Sequence, residues 1–165
     1  MAGQDVTYRE HRPGDMGWII HRQAVLYARE YGWNEEFEAL VAEIAAKFIR
    51  EFKPGRERCW IAERGGEALG SVFLVDGEDG SAKLRMLYVE PAARGLGVGR
   101  GLVRECLAFA RSAGYRSVTL WTNDILLAAR RIYEGEGFRL ETEERHHSFG
   151  KDLVGQYWKL DLNGL

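Results

Sequence analysis

The stretch Leu84-Arg-Met-Leu-Tyr-Val-Glu-Pro-Ala-Ala-Arg-Gly-Leu-Gly-Val-Gly-Arg-Gly-Leu102 decides how the rest of the chain is read. Its first half has the composition of a strand and stops at Pro91, which cannot donate to a ladder. Its second half sets glycines at 95, 97, 99 and 101 at the mouth of a helix. The apolar positions of that helix, Val98, Leu102, Val103, Cys106, Leu107, Phe109 and Ala110, recur at helical spacing up to a stop at Gly114. Alternating glycines let the main chain approach a ligand and turn its N–H groups inward, and a helix N-terminus adds about half a positive charge. The combination predicts a phosphate cradle. A plain glycine-rich connector would show the same spacing.

Two familiar cradles fail on the letters. A Walker A loop needs Gly-Lys followed by Ser or Thr, and here Gly99 is followed by Arg100 and Gly101. A dinucleotide fingerprint needs G-x-G-x-x-G inside a parallel βαβ unit; the register from Gly97 puts Leu102 where the last glycine belongs.

Upstream, short β-rich runs at residues 59–63, 69–75 and 84–89 are separated by Arg64-Gly65-Gly66 and by residues 76–80, which predicts three antiparallel strands joined by hairpins. Before them, Asn34 is a good N-cap with Glu35 and Glu36 in the first turn. It opens a helix on which Phe37, Leu40, Val41, Ile44, Ala45, Phe48, Ile49 and Phe52 form one buried face. A strand at 6–12, a turn at Pro13-Gly14-Asp15 and a helix at 16–30 complete that half. Downstream come a strand at 115–121, a helix at 124–134 and strands at 138–145 and 153–162. The order β-α-α-β-β-β-α-β-α-β-β predicts a mixed α/β sheet flanked by helices.

The 165 residues predict one domain spanning 1–165, and 45% apolar content is enough for a core. Lys plus Arg number 23 against 25 Asp plus Glu, a net charge of -2, so no general attraction to nucleic acid or to an anionic membrane is expected. No apolar run is long enough for a membrane span, and residues 1–10 carry no secretory pattern, which predicts a soluble, cytoplasmic protein. Cys59 and Cys106 form no Cys-x-x-Cys pair, and the lone His11 and His21 have no visible ligand partners. Two buried thiols, no disulfide and no metal site are expected.

Arg94-x-x-Gly97-x-Gly99 after a Val-x-Pro strand end resembles the acyl-CoA pyrophosphate loop of the GNAT superfamily of N-acyltransferases. The companion pattern of an Ala, an aromatic and Gly-Phe is met by Ala129, Tyr133, Gly137 and Phe138. The element order resembles that fold, a largely antiparallel mixed sheet, from about Val6 to Leu162. The stretches Leu26-Tyr-Ala-Arg-Glu-Tyr-Gly-Trp33, Leu120-Trp-Thr-Asn-Asp124 and His146-His-Ser-Phe-Gly150 are similar to acetyltransferase domains fused behind MarR-type regulators. No winged-helix segment is expected in this chain.

The resemblance implies acetyl-CoA as cosubstrate and direct attack by a primary amine, borne by a small molecule or a peptide. It implies that Leu87, Tyr88 and Val89 act through their main chain on the pantetheine arm and thioester carbonyl. Gly95, Leu96, Gly97, Val98, Gly99 and Arg100 would bind the pyrophosphate, with Arg94 and Arg100 adding positive charge. Tyr133 would be the general acid for the departing thiolate, although it also falls on an apolar helix face. Many members place an Asn seven residues before that Tyr; here the position holds Leu126, and Asn123, ten before, is either a cofactor contact or a helix cap. Where some members carry a carboxylate base, this chain has Lys83, so the base is unassigned. Tyr31, Trp33, Glu35 and Glu36 are candidate acceptor residues, the acids suggesting a positively charged amine. Of the neighbours His146 and His147, at most one faces a site. A homodimer is left open. The alternative is a non-catalytic acyl-CoA-binding regulatory module.

Overall fold

The computed structural model describes residues 5–163; the start of the polar N-terminal stretch, residues 1–4, lies outside them, as do the last two residues of the expected domain. Among the described residues there are seven strands, β1 (Thr7–Glu10), β2 (Arg58–Arg64), β3 (Glu67–Asp76), β4 (Ser81–Val89), β5 (Ser117–Asn123), β6 (Arg139–Ser148) and β7 (Lys151–Asp161), the central ones buried on both faces and β6 largely exposed. Four helices punctuate them: α1 (Asp15–Tyr31), α2 (Glu35–Arg50), α3 (Val98–Ser112) and α4 (Leu127–Gly135). The element order is the expected one. The sheet runs β1-β2-β3-β4-β5-β7-β6, and every neighbouring pair is antiparallel except β4 with β5.

Side chains alternate across the strands, so each face meets its own helix layer. On one face Leu102, Val103, Cys106 and Ala110 of α3 share a core with Val72, Leu74, Leu84, Val118, Leu120 and Trp158. On the other, Ile19 of α1 and Phe37, Val41 and Phe48 of α2 pack with Cys59, Ile61, Phe73 and Leu153. Both cysteines are buried and unpaired.

Several boundaries move by two or three residues, among them the starts of β4 and β5 and the end of β6, and one of the shifts bears on the site. The helix expected from Asp124 begins only at Leu127, because residues 123–126 close a turn in which Leu126 N–H donates to the Asn123 carbonyl at 3.0 Å. Asn123 ends β5 and caps no helix. By contrast, Asn34 caps α2 as read, its Oδ1 accepting from the Glu36 amide at 3.0 Å.

Candidate active site

The site begins with an irregularity in β4. Ser71 of β3 faces Tyr88, yet Phe73 faces Arg85, so one extra residue is inserted between them, and Met86 takes a positive φ of 55°. Such a bulge bends a strand. The parallel pairing of β4 with β5 covers only Ser81 to Leu84 against Ser117 to Leu120. Beyond it the strands part, and residues 87–89 turn an unpaired main-chain edge toward the gap.

A cavity of about 570 Å³ occupies that gap. Of the residues expected at a cofactor site, Leu87, Val89, Arg94, Gly95, Gly97, Val98, Gly99, Arg100, Asn123 and Tyr133 line it. Leu96 is half exposed and outside the lining, and the Tyr88 side chain is buried near α1, its ring 6.0 Å from Trp18. The Tyr88 hydroxyl donates to Glu90, and burial pushes it well above the ordinary phenol range.

The glycines of the turn have separate reasons to be glycine. Gly97 sits at φ 77°, a left-handed conformation costly to other residues, and precedes α3 directly. The first helical bond runs from Gly101 N–H to Gly97 O at 3.0 Å, so the amides of Val98, Gly99 and Arg100 have no intrahelical acceptor. At Gly99 the constraint is packing: a Cβ there would lie 2.7 Å from Ile132 Cδ1 of α4. Arg94 donates to Glu30 of α1 at 2.5 Å, tying the turn to the helix across the cavity, while Arg100 lies 3.8 Å from Glu136. Open space beside Gly95 and Gly97, free amides and nearby guanidinium groups fit a pyrophosphate.

Tyr133 is 4% exposed and packed near Phe138 and Trp158. Burial pushes its hydroxyl far above the ordinary phenol range, so it stays protonated at any working pH. Asn123 is held from outside the cavity. The His146 ring places Nε2 2.8 Å from Asn123 Oδ1 and Nδ1 2.9 Å from Ser148 Oγ. An amide oxygen only accepts, so Nε2 carries the proton and Nδ1 accepts from the serine hydroxyl. The Asn123 NH₂ group is thereby left free. His147 turns outward to Asp152 at 2.8 Å.

The acceptor residues divide. Tyr31 and Trp33 line the cavity with Leu26, Phe37, Met86 and Phe149. Glu35 and Glu36 do not: both are exposed on the first turn of α2, from which Phe37 reaches the cavity wall instead. The lining carboxylate is Glu30, the last residue but one of α1, and the ring that closes the far wall is Phe149 at the β6–β7 turn. Both lie inside stretches singled out above, though neither was named as a site residue. Gln23, fully buried in the cavity wall, has neither side-chain amide atom hydrogen-bonded. No cluster of His, Cys, Asp and Glu able to hold a metal occurs among the described residues, and no described helix is long and apolar enough to cross a membrane.

A splayed parallel strand pair, a glycine turn capping a helix and a buried tyrosine across the gap define a transferase of the acyl-CoA class. The sequence profile of the Acetyltransferase (GNAT) family matches residues 20–138, and the chain belongs to that family. It is an acetyltransferase whose acetyl donor is acetyl-CoA. An uncharacterized N-acetyltransferase of Schizosaccharomyces pombe is 33% identical over 139 residues, 83% of each chain. The N-acetylaspartate synthetase of Danio rerio is 34% identical over 107 residues, 63% of this chain and 37% of that one, so the chain spans well under half of that relative. In fold it is similar to a ribosomal-protein-alanine N-acetyltransferase of Brucella melitensis, with TM-score 0.76, 20% identity and coverage of 94% of this chain and 99% of the other. It is also similar to yncA of Salmonella typhimurium, solved with acetyl-CoA, with TM-score 0.72, 22% identity and coverage of 97% and 95%.

Proposed function

We propose that the chain transfers the acetyl group to a primary amine by direct attack of the amine on the thioester while donor and acceptor are both bound. The observation that carries this reading is the continuity of the cavity from the glycine turn, past the free edge of β4 and Tyr133, to the wall formed by α1 and the β6–β7 turn. Neither cysteine lines that space, so direct transfer is favoured over a thiol relay.

In this reading residues 95–100 receive the pyrophosphate through main-chain N–H groups, and Arg94 and Arg100 supply positive charge. The free edge of Leu87, Tyr88 and Val89 holds the pantetheine arm and aims an N–H at the thioester oxygen, a contact that strengthens as negative charge develops there. Asn123 offers its NH₂ group to the same ligand. As the C–N bond forms and the C–S bond breaks, Tyr133 gives its proton to the departing sulfur; burial keeps the phenol protonated until the thiolate forms beside it. The amine must arrive uncharged, and the group that takes its proton is unassigned.

The test is release of CoA thiol by the purified chain with acetyl-CoA and a library of primary amines. Turnover with at least one amine is expected; acetyl-CoA binding without release would return the non-catalytic binding module. The likeness to MarR-fused domains, a single domain over 1–165 and a cytoplasmic location belong to the same proposal.

A further inference from the structure

We infer that the acceptor is a primary amine carried on an apolar, ring-sized body, and not a polyamine or another multiply charged amine. The inference rests on the transferase reading above. Away from the glycine turn, the cavity is walled by Leu26, Tyr31, Trp33, Phe37, Met86 and Phe149. Four of the six are aromatic and they brace one another: the Trp33 ring lies 5.6 Å from Tyr31 and 4.9 Å from both Phe37 and Phe149. Tyr31 and Phe149 keep part of their surface open. A pre-formed wall of ring faces and edges gains most from an apolar guest of similar size.

The charges argue in the same direction. Among the described lining residues Glu30 is the one carboxylate, and it is already paired with Arg94, while Arg94, Arg100 and Arg131 bring positive charge to the same space. Glu35 and Glu36, which would have welcomed a cation, lie outside. A second ammonium on the acceptor would lose water here and find no free counter-ion. Ring faces can steady one ammonium, and one is what a monoamine brings before it gives up its proton.

The experiment measures CoA thiol release at saturating acetyl-CoA with 2-phenylethylamine, propylamine and spermidine. The expected order of kcat/KM places 2-phenylethylamine at least about tenfold above the other two, the scale of discrimination an apolar pocket can give. Spermidine equal to or better than 2-phenylethylamine would overturn the inference and leave the transferase reading standing. No release with any amine, although acetyl-CoA binds, would remove the transferase reading itself. Phe149→Asn gives a second arm: Phe149 has a φ of 57°, which asparagine adopts more readily than most residues, so the turn is kept while the ring is lost. This variant should lose most of the 2-phenylethylamine advantage with acetyl-CoA affinity unchanged, and Phe149→Leu should recover part of it. An advantage that survives in Phe149→Asn would also overturn the inference.

Discussion

The two halves of the cavity are built from different materials. The half beside the glycine turn is a main-chain device: free amides at the start of α3, an unpaired edge on β4 and glycines that leave room beside both. The opposite half is a side-chain device assembled from α1, α2, the β4 bulge and the β6–β7 turn, where rings from distant parts of the chain brace one another. A main-chain site tolerates change in most side chains around it. A side-chain site changes its guest with a single substitution, so the donor half holds one cosubstrate while the acceptor half can be retuned.

That contrast breaks first at Tyr133, the one side chain on which the donor half should depend for chemistry. Tyr133→Phe keeps the ring and removes the hydroxyl, so kcat should fall by about 10²- to 10⁴-fold while acetyl-CoA affinity stays nearly constant. A kcat unchanged where chemistry limits turnover would return Tyr133 to a packing role. The main-chain character of the turn is sharpened by Gly97→Val. A β-branched residue forced into a left-handed conformation costs about 1–2 kcal/mol or more, so acetyl-CoA should bind about tenfold more weakly in calorimetry. Equal affinity in a folded variant would mean that the turn holds no phosphate.

Smaller effects probe the seam between the halves. His146→Ala removes the bond that orients the Asn123 amide, worth about 0.5–1.5 kcal/mol, and should raise the acetyl-CoA KM by several-fold. His146→Gln, which can donate to Asn123, should recover part of that loss; if both variants match the parent, Asn123 needs no support. The smallest effect is expected from the double change Glu35→Gln and Glu36→Gln. These exposed carboxylates lie outside the cavity, so the acceptor KM should not move, and a clear rise would bring α2 electrostatics back into acceptor binding.

The same division separates what the sequence carries locally from what only the folded chain creates. The glycine turn, the Asn34 cap and the apolar face of α3 are local features, written within a few residues of where they act, and the structure has them where the sequence puts them; the face of α2 holds only as far as Phe48, because the helix ends at Arg50 and leaves Ile49 and Phe52 exposed. The bulge at Met86 is not local, because it exists only through pairing with residues 71–73 of β3. Nor could spacing alone choose between Glu30 and Glu35 as the carboxylate that meets the cavity. They lie five residues apart, but Gly32 ends α1 and Asn34 restarts the chain as α2, so the two face different surroundings. Asn123 is open to two readings, a cofactor contact or a helix cap, for a related reason: its strand-end position comes from pairing with Gly155 of β7, and its side chain meets a histidine ring 23 residues further on.

The two cysteines, idle in the chemistry, simplify its measurement. Cys59 and Cys106 are both fully buried, and loss of water pushes each thiol well above its ordinary range, so neither forms the reactive thiolate while the chain is folded. A disulfide reagent that colours on meeting a thiol will therefore record free CoA against a silent protein background. The same reagent will begin to count two sites per chain when the core opens, so one cuvette can follow turnover in the cold and unfolding on heating.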